Sequence, residues 1–193
     1  MIRRLERTRL RFEDMLTSKR VPKRDVELVY EGLFLRAVVE FEDLLELRFF
    51  EILNGRLHGG KMRIKPKVSA KTASVMRDIV HGGNDFVKWL PFKETETRAK
   101  RFLRGGRPFS LLNDDDRSKL ARILFIRNAI AHSSDSARQS FLDKVIGGTH
   151  LLPQEKNPAG FLRSVFRTSP TLRRLQVYLD ALRVICSKLD RSR

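Results

Sequence analysis

The sequence predicts an all-α fold, a helical bundle of about six to seven helices forming one domain over residues 1–193. Three observations carry this. Apolar residues recur at three- and four-residue intervals through most of the chain, the helical segments stop at Asn-Gly or Gly-Gly pairs, and only one short run alternates with period two. At this length a single core buries roughly 70% of the unfolded surface without disulfides or a metal.

Residues 1–20 read as an amphipathic, basic N-terminal helix, with Leu5, Phe12, Met15 and Leu16 on one side and arginines around the rest. A long second helix runs from Pro22 to about Leu53. Its apolar positions Val26, Tyr30, Leu33, Phe34, Ala37, Val38, Phe41, Leu45, Phe49 and Ile52 keep helical spacing, and Asn54-Gly55 ends it. Residues 55–68 form a basic loop or arm in which Lys61, Arg63, Lys65 and Lys67 alternate with Met62, Ile64, Pro66 and Val68. Such alternation with a proline fits extended chain, and either a solvated loop or a nucleic-acid-binding arm satisfies it.

Ser69 is the expected N-cap of a short helix that Gly82 and Gly83 terminate. The next helix is expected from Asp85 to about Arg104, with Pro91 near its first turns. Asp114, Asp115 and Asp116 then supply the acidic N-terminus that a helix dipole favours. Ser134 is placed to cap a helix through about Val145, and "GGTHLLPQEKNPAG" reads as a loop. Ser169 and Pro170 are the expected N-cap and first residue of a long closing helix.

Forty basic against 23 acidic residues leave a formal net charge of +17, with arginine outnumbering lysine about two to one. A polyanion is therefore the first partner to consider, and the planar arginine fork suits nucleic-acid phosphate; an anionic membrane surface or an acidic protein also fits. The single Cys186 continues the apolar series Leu175, Leu179, Leu182 and Leu189, which suggests a buried structural thiol and a reducing cytoplasm. "MIRRLERTRLRF" is followed by no signal-peptide core, and no run approaches the ~20 apolar residues of a membrane span, so a soluble cytoplasmic protein is expected.

The stretch "LARILFIRNAIAHSS", Leu120 to Ser134, sets Arg127, Asn128 and His132 among apolar residues. Strong polar groups in such a setting need partners. Asn128 and His132 share a helix face, and the long side chain of Arg127 can converge on the imidazole. One cation beside one imidazole suits phosphate chemistry, because His exchanges protons near neutrality and Arg stabilises charge building on phosphorus. A structural arrangement remains open on the same residues: Arg127 buried against Glu42, with His132 capping the helix end. No His, Cys, Asp and Glu cluster has metal-ligand spacing, and His58, His81 and His150 lie on Gly-rich loops as surface residues.

The residues Arg127, Asn128 and His132 in "IRNAIAH" resemble the Arg-polar-x3-His signature of the HEPN superfamily, all-helical domains that include metal-independent ribonucleases. The likeness extends over "FEDLLE", "WLPF", "FLRGGRPF", the helix ending "ILFIRNAIAHSS", and "PAGFLRSVF" before a final helix. That order is similar to the RiboL-PSP-HEPN branch and spans about Tyr30 to Leu189. The resemblance implies an endoribonuclease that needs no cofactor and leaves 2′,3′-cyclic phosphate ends. Arg127 and His132 would be its catalytic pair, Asn128 their polar support, and Glu42, in competition with Glu40 and Glu46, the acid that orients Arg127. It also implies RNA as substrate, a homodimer whose motifs face each other, and a toxin or defence role under an inhibitory or sensor partner. A non-catalytic module that binds nucleic acid or protein is the alternative. No tyrosine follows His132, so the nucleotidylation that silences some family members has no acceptor in "AHSS". The basic arm matches no motif of the family.

Overall fold

The computed structural model describes residues 2–55, 64 and 66–191. It is mostly helical, with helices over 72% of the chain and a single two-stranded sheet. Eight α-helices lie among the described residues: α1 (Ile2–Thr17), α2 (Lys23–Leu53), α3 (Ala73–His81), α4 (Phe92–Phe102), α5 (Asp114–Ala131), α6 (Asp135–Phe141), α7 (Pro158–Arg163) and α8 (Arg174–Arg191). Strands β1 (Val165–Thr168) and β2 (Thr171–Arg173) form an antiparallel ribbon ahead of α8. Among the described residues no helix is long and apolar enough to cross a membrane.

By internal packing the chain divides into two compact units, residues 1–40 with 121–183 and residues 41–120 with 184–193. In the first unit Phe34 meets Tyr178 edge-on at 6.1 Å, and Phe161 lies between Tyr178 and Phe141 at 6.2 and 5.7 Å. In the second, Phe49 is the hub, with Trp89, Phe109, Phe50 and Phe102 all within 6.2 Å of its ring centre. Ring pairs at such distances add roughly 1 kcal/mol each to the burial of their area.

All ten apolar positions expected on α2 are buried, and Gly55, at φ 67°, turns the chain where Asn54-Gly55 was expected to stop it. Gly82 closes α3 in the left-handed conformation, and its N–H donates to the Asp78 carbonyl. The start of α3 is Thr72 rather than Ser69: the Thr72 hydroxyl accepts from the Val75 N–H at 3.3 Å, leaving residues 68–70 without regular structure. The expected helix from Asp85 begins only at Phe92, because Pro91 stands at its N-cap and its missing N–H costs nothing there. The preceding chain, without regular secondary structure, buries Trp89 and Leu90.

Asn113 and Asp116 cap α5 reciprocally, each side chain accepting from the other's backbone N–H at 2.9 and 3.2 Å. Ser134 caps α6 as expected, through Ala137 N–H at 3.3 Å, and one π-helical turn, Leu142–Ile146, extends it. The expected loop yields α7, capped by Asn157 through the Gly160 N–H at 2.8 Å. Only glycine fits at 160, since a Cβ there would stand 2.0 Å from the Gln154 carbonyl oxygen. Ser169 and Pro170 do not open the final helix. They make the two-residue turn of the β1–β2 ribbon, and α8 starts at Arg174.

Helix α1 departs furthest from its expected face. Its buried residues are Leu5 and Arg9, whereas Phe12, Met15 and Leu16 are half-buried. Arg9 is tolerated inside because Glu6, one turn back, accepts from its Nη2 at 3.2 Å.

Candidate functional site

The motif lies at the C-terminal end of α5, within the first unit. Leu120, Ile123 and Ile126 anchor the helix in the core, while Leu124, Phe125, Arg127, Asn128, Ala129 and Ile130 are half-buried and Ala131 and His132 are exposed. The helix is therefore less enclosed at this end than its apolar sequence predicts. Helical residues cease at Ala131, and the His132 N–H still donates to the Asn128 carbonyl at 2.9 Å. On a continuing helix, side chains five positions apart point about 140° away from each other. Here the reach of Arg127 closes that gap: Nη1 stands 3.5 Å from His132 Nε2 and donates to Asn128 Oδ1 at 3.3 Å.

Arg127 forms no ion pair with a carboxylate among the described residues, and it is half-buried rather than enclosed. Two of the carboxylates proposed to orient it are engaged elsewhere. Glu40 accepts from Arg36 Nε at 2.5 Å, while Glu46 accepts from Arg77 Nη1 at 2.8 Å and from the Trp89 indole N–H at 2.9 Å. Glu42 is half-buried on α2 and belongs to the second unit. The half-buried guanidinium thus has an amide oxygen and an imidazole as its hydrogen-bonding neighbours, an arrangement open to an anion.

Of the basic arm, Lys61, Arg63 and Lys65 lie outside the described residues, as does His58. Lys67 is exposed, with its Nζ donating to the Lys100 carbonyl at 2.7 Å and its backbone N–H to the Phe102 carbonyl at 2.8 Å. Pro66 pairs with Leu103 in an isolated antiparallel bridge, so this end of the arm is extended as the alternation predicts. His150 is exposed; His81 is half-buried beside Phe50, with Nδ1 3.2 Å from the Asn84 carbonyl. Among the described residues no three His, Cys, Asp or Glu side chains gather in a way that would hold a metal ion.

The charged cluster that sequence reasoning missed is centred on Glu13. Its carboxylate accepts from Arg163 through Nε and Nη2 at 2.9 and 3.1 Å, from Arg173 Nη2 at 3.3 Å and from the Tyr30 hydroxyl at 2.8 Å. Burial pushes this carboxyl up, but hydrogen bonds from Arg163 and Tyr30 and the charges of Arg173 and Arg163 outweigh it and hold Glu13 below the usual carboxylate range. Burial pushes the Tyr30 hydroxyl up to about 12. The signal in the sequence is faint: Glu13 sits between Phe12 and Leu16, on the side of α1 that turns inward. The cluster ties α1 to α2, α7 and β2, and it leaves no carboxylate oxygen for chemistry.

No family model, curated protein or solved structure matches this chain.

Proposed function

We propose that this protein is a metal-independent endoribonuclease of the HEPN kind, acting as a toxin or defence effector. One observation carries the reading: the Arg127 guanidinium and the His132 imidazole meet 3.5 Å apart at the exposed end of α5, with no carboxylate paired to Arg127 among the described residues. In the proposed reaction the ribose 2′-hydroxyl attacks the adjacent phosphorus. A 2′-O–P bond forms, the P–O5′ bond breaks, one proton leaves the 2′-hydroxyl and one is delivered to the departing 5′-oxygen. His132 takes or gives one of these protons, and Arg127 grips the non-bridging oxygens as their charge grows. Asn128 steadies the guanidinium through its amide oxygen.

The second proton carrier is supplied by a second copy of the chain. Phe125 and Ala129, four apart and half-buried, share the side of α5 that carries Asn128 and His132, an apolar surface on which a twofold partner would set two His132 side chains in one cleft. Light scattering should then give about twice the 22.5 kDa of the chain, and Phe125→Asp should give the monomer.

The deciding experiment incubates RNA with the protein in excess EDTA and analyses the new ends. Cleavage that persists, leaves 2′,3′-cyclic phosphates and vanishes in His132→Ala is the expected result. Cleavage that needs added Mg²⁺ or Mn²⁺ overturns the mechanism, and RNA bound but left intact points to the interaction module instead.

A further inference from the structure

The β1–β2 ribbon is pinned to α1 by Glu13, which accepts from Arg173 of β2, the register partner of Val165 on β1. Strand β1 itself carries no core: Val165, Phe166, Arg167 and Thr168 are all exposed. The pairing Val165↔Arg173 is followed by Arg167↔Leu172, so Phe166 is the extra residue of a β-bulge. An extra residue of this kind has no ladder partner, and bulges serve to re-aim a side chain. Phe166 is 59% exposed and takes no part in the ring contacts that bury Phe141, Phe161 and Tyr178 in the same unit.

The arginines around it fall into two groups. Arg163 and Arg173 are committed to Glu13, and Arg174 donates to the Val165 carbonyl and stacks over Phe161. Arg167, the residue after Phe166, makes no ion pair among the described residues. An exposed aromatic ring followed in sequence by an exposed arginine is a pairing that single-stranded nucleic acid fits, one base stacking on the ring and the adjoining phosphate taking the cation. The ribbon tip is too small for a protein interface, which needs about 800 Å² on each side, whereas one base needs only one ring. The net charge of +17 favours the polyanion.

We propose that Phe166 is a stacking platform for an unpaired base of single-stranded RNA, with Arg167 holding the neighbouring phosphate. The inference rests on the reading of this chain as acting on RNA, and it makes that RNA single-stranded at the point of contact.

The test measures fluorescence anisotropy of a short labelled 2′-O-methyl oligoribonucleotide, which offers no 2′-hydroxyl for attack, against the full chain at several salt concentrations. Phe166→Ala should weaken binding roughly 10-fold or more at fixed salt, and Phe166→Tyr should stay within about twofold of wild type. Arg167→Ala should lower the salt slope by about 0.7. A duplex of the same sequence has no free base and should be indifferent to Phe166→Ala. Circular dichroism melts confirm that each variant is folded. Equal binding by wild type and Phe166→Ala, equal losses on single strand and duplex, or no binding by wild type overturns the proposal. If wild type binds through Phe166 but leaves ordinary RNA uncut, the ribonuclease reading fails and the stacking platform stands.

Discussion

Nη1 of Arg127 lies 3.5 Å from Nε2 of His132. A guanidinium has only donors, so this contact is a hydrogen bond only when Nε2 of His132 is the accepting nitrogen of the ring. A phosphate drawn to Arg127 would therefore arrive beside the His132 imidazole, the juxtaposition that the proposed 2′-hydroxyl attack uses.

Replacing either residue by alanine should separate chemistry from stability. His132 is exposed, and among the described residues Arg127 has no carboxylate to strand, so both variants should unfold within about 1 kcal/mol of wild type. RNA cleavage should fall roughly 10²-fold or more. Arg127→Lys keeps the charge but loses the planar fork, and should melt like wild type while cleaving poorly. A severe loss of melting temperature in either alanine variant would assign the pair to structure.

Glu13 predicts the opposite pattern. Its side chain is 14% exposed and serves two arginines, so Glu13→Gln should cost about 2–4 kcal/mol, near the range for breaking a buried ion pair. A carboxyl held below its ordinary 4.5 contributes stability in full above that value and loses it as the pH falls through the lowered one. Urea midpoints followed between about pH 3 and 6 should drop on acidification in wild type, and much less in Glu13→Gln.

Neutralising Lys61, Arg63, Lys65 and Lys67 together should weaken RNA binding and reduce its salt slope by about 2–3, at roughly 0.7 for each phosphate contact on a single strand. An unchanged slope would make the segment a solvated loop.

Cys186 should be inert in the folded chain. Burial, with a contribution from the Asp190 charge, pushes its thiol up to about 11, leaving little thiolate at neutral pH. Cys186 is half-buried rather than buried as the sequence suggests; alkylation by iodoacetamide should still be slow under native conditions and accelerate in urea, and rapid native labelling would contradict the raised thiol.

Where local pattern and tertiary burial agree, the sequence was legible. The ten apolar positions of α2 are all buried, Gly82 and Ser134 act at the ends expected of them, and Leu175, Leu179, Leu182 and Leu189 face the core from α8. Ser169-Pro170 misled because the same dipeptide opens a helix or fills a tight turn, and the β-branched Val165, Thr168 and Thr171 around it favour the turn. Ser69 lost to Thr72 because both are competent caps, and hydroxyl identity alone cannot choose between positions three apart. At the motif, Arg127, Asn128 and His132 were readable by spacing, but the end of α5 at Ala131 and the exposure of His132 depend on how the rest of the unit packs. The Glu13 cluster was out of reach for the same reason, since its arginines come from positions 150 and 160 residues further along the chain.

The placement of the aromatic polar rings has a spectroscopic consequence. Trp89, the single tryptophan, is buried in the second unit with its indole N–H on Glu46, while the two tyrosines, Tyr30 and Tyr178, are both buried in the first. Each unit therefore carries its own intrinsic chromophore. Tryptophan emission and tyrosine difference absorbance, recorded along one denaturation, follow the two units separately without a label, and the coincidence or splitting of the two curves measures whether they unfold as one cooperative system.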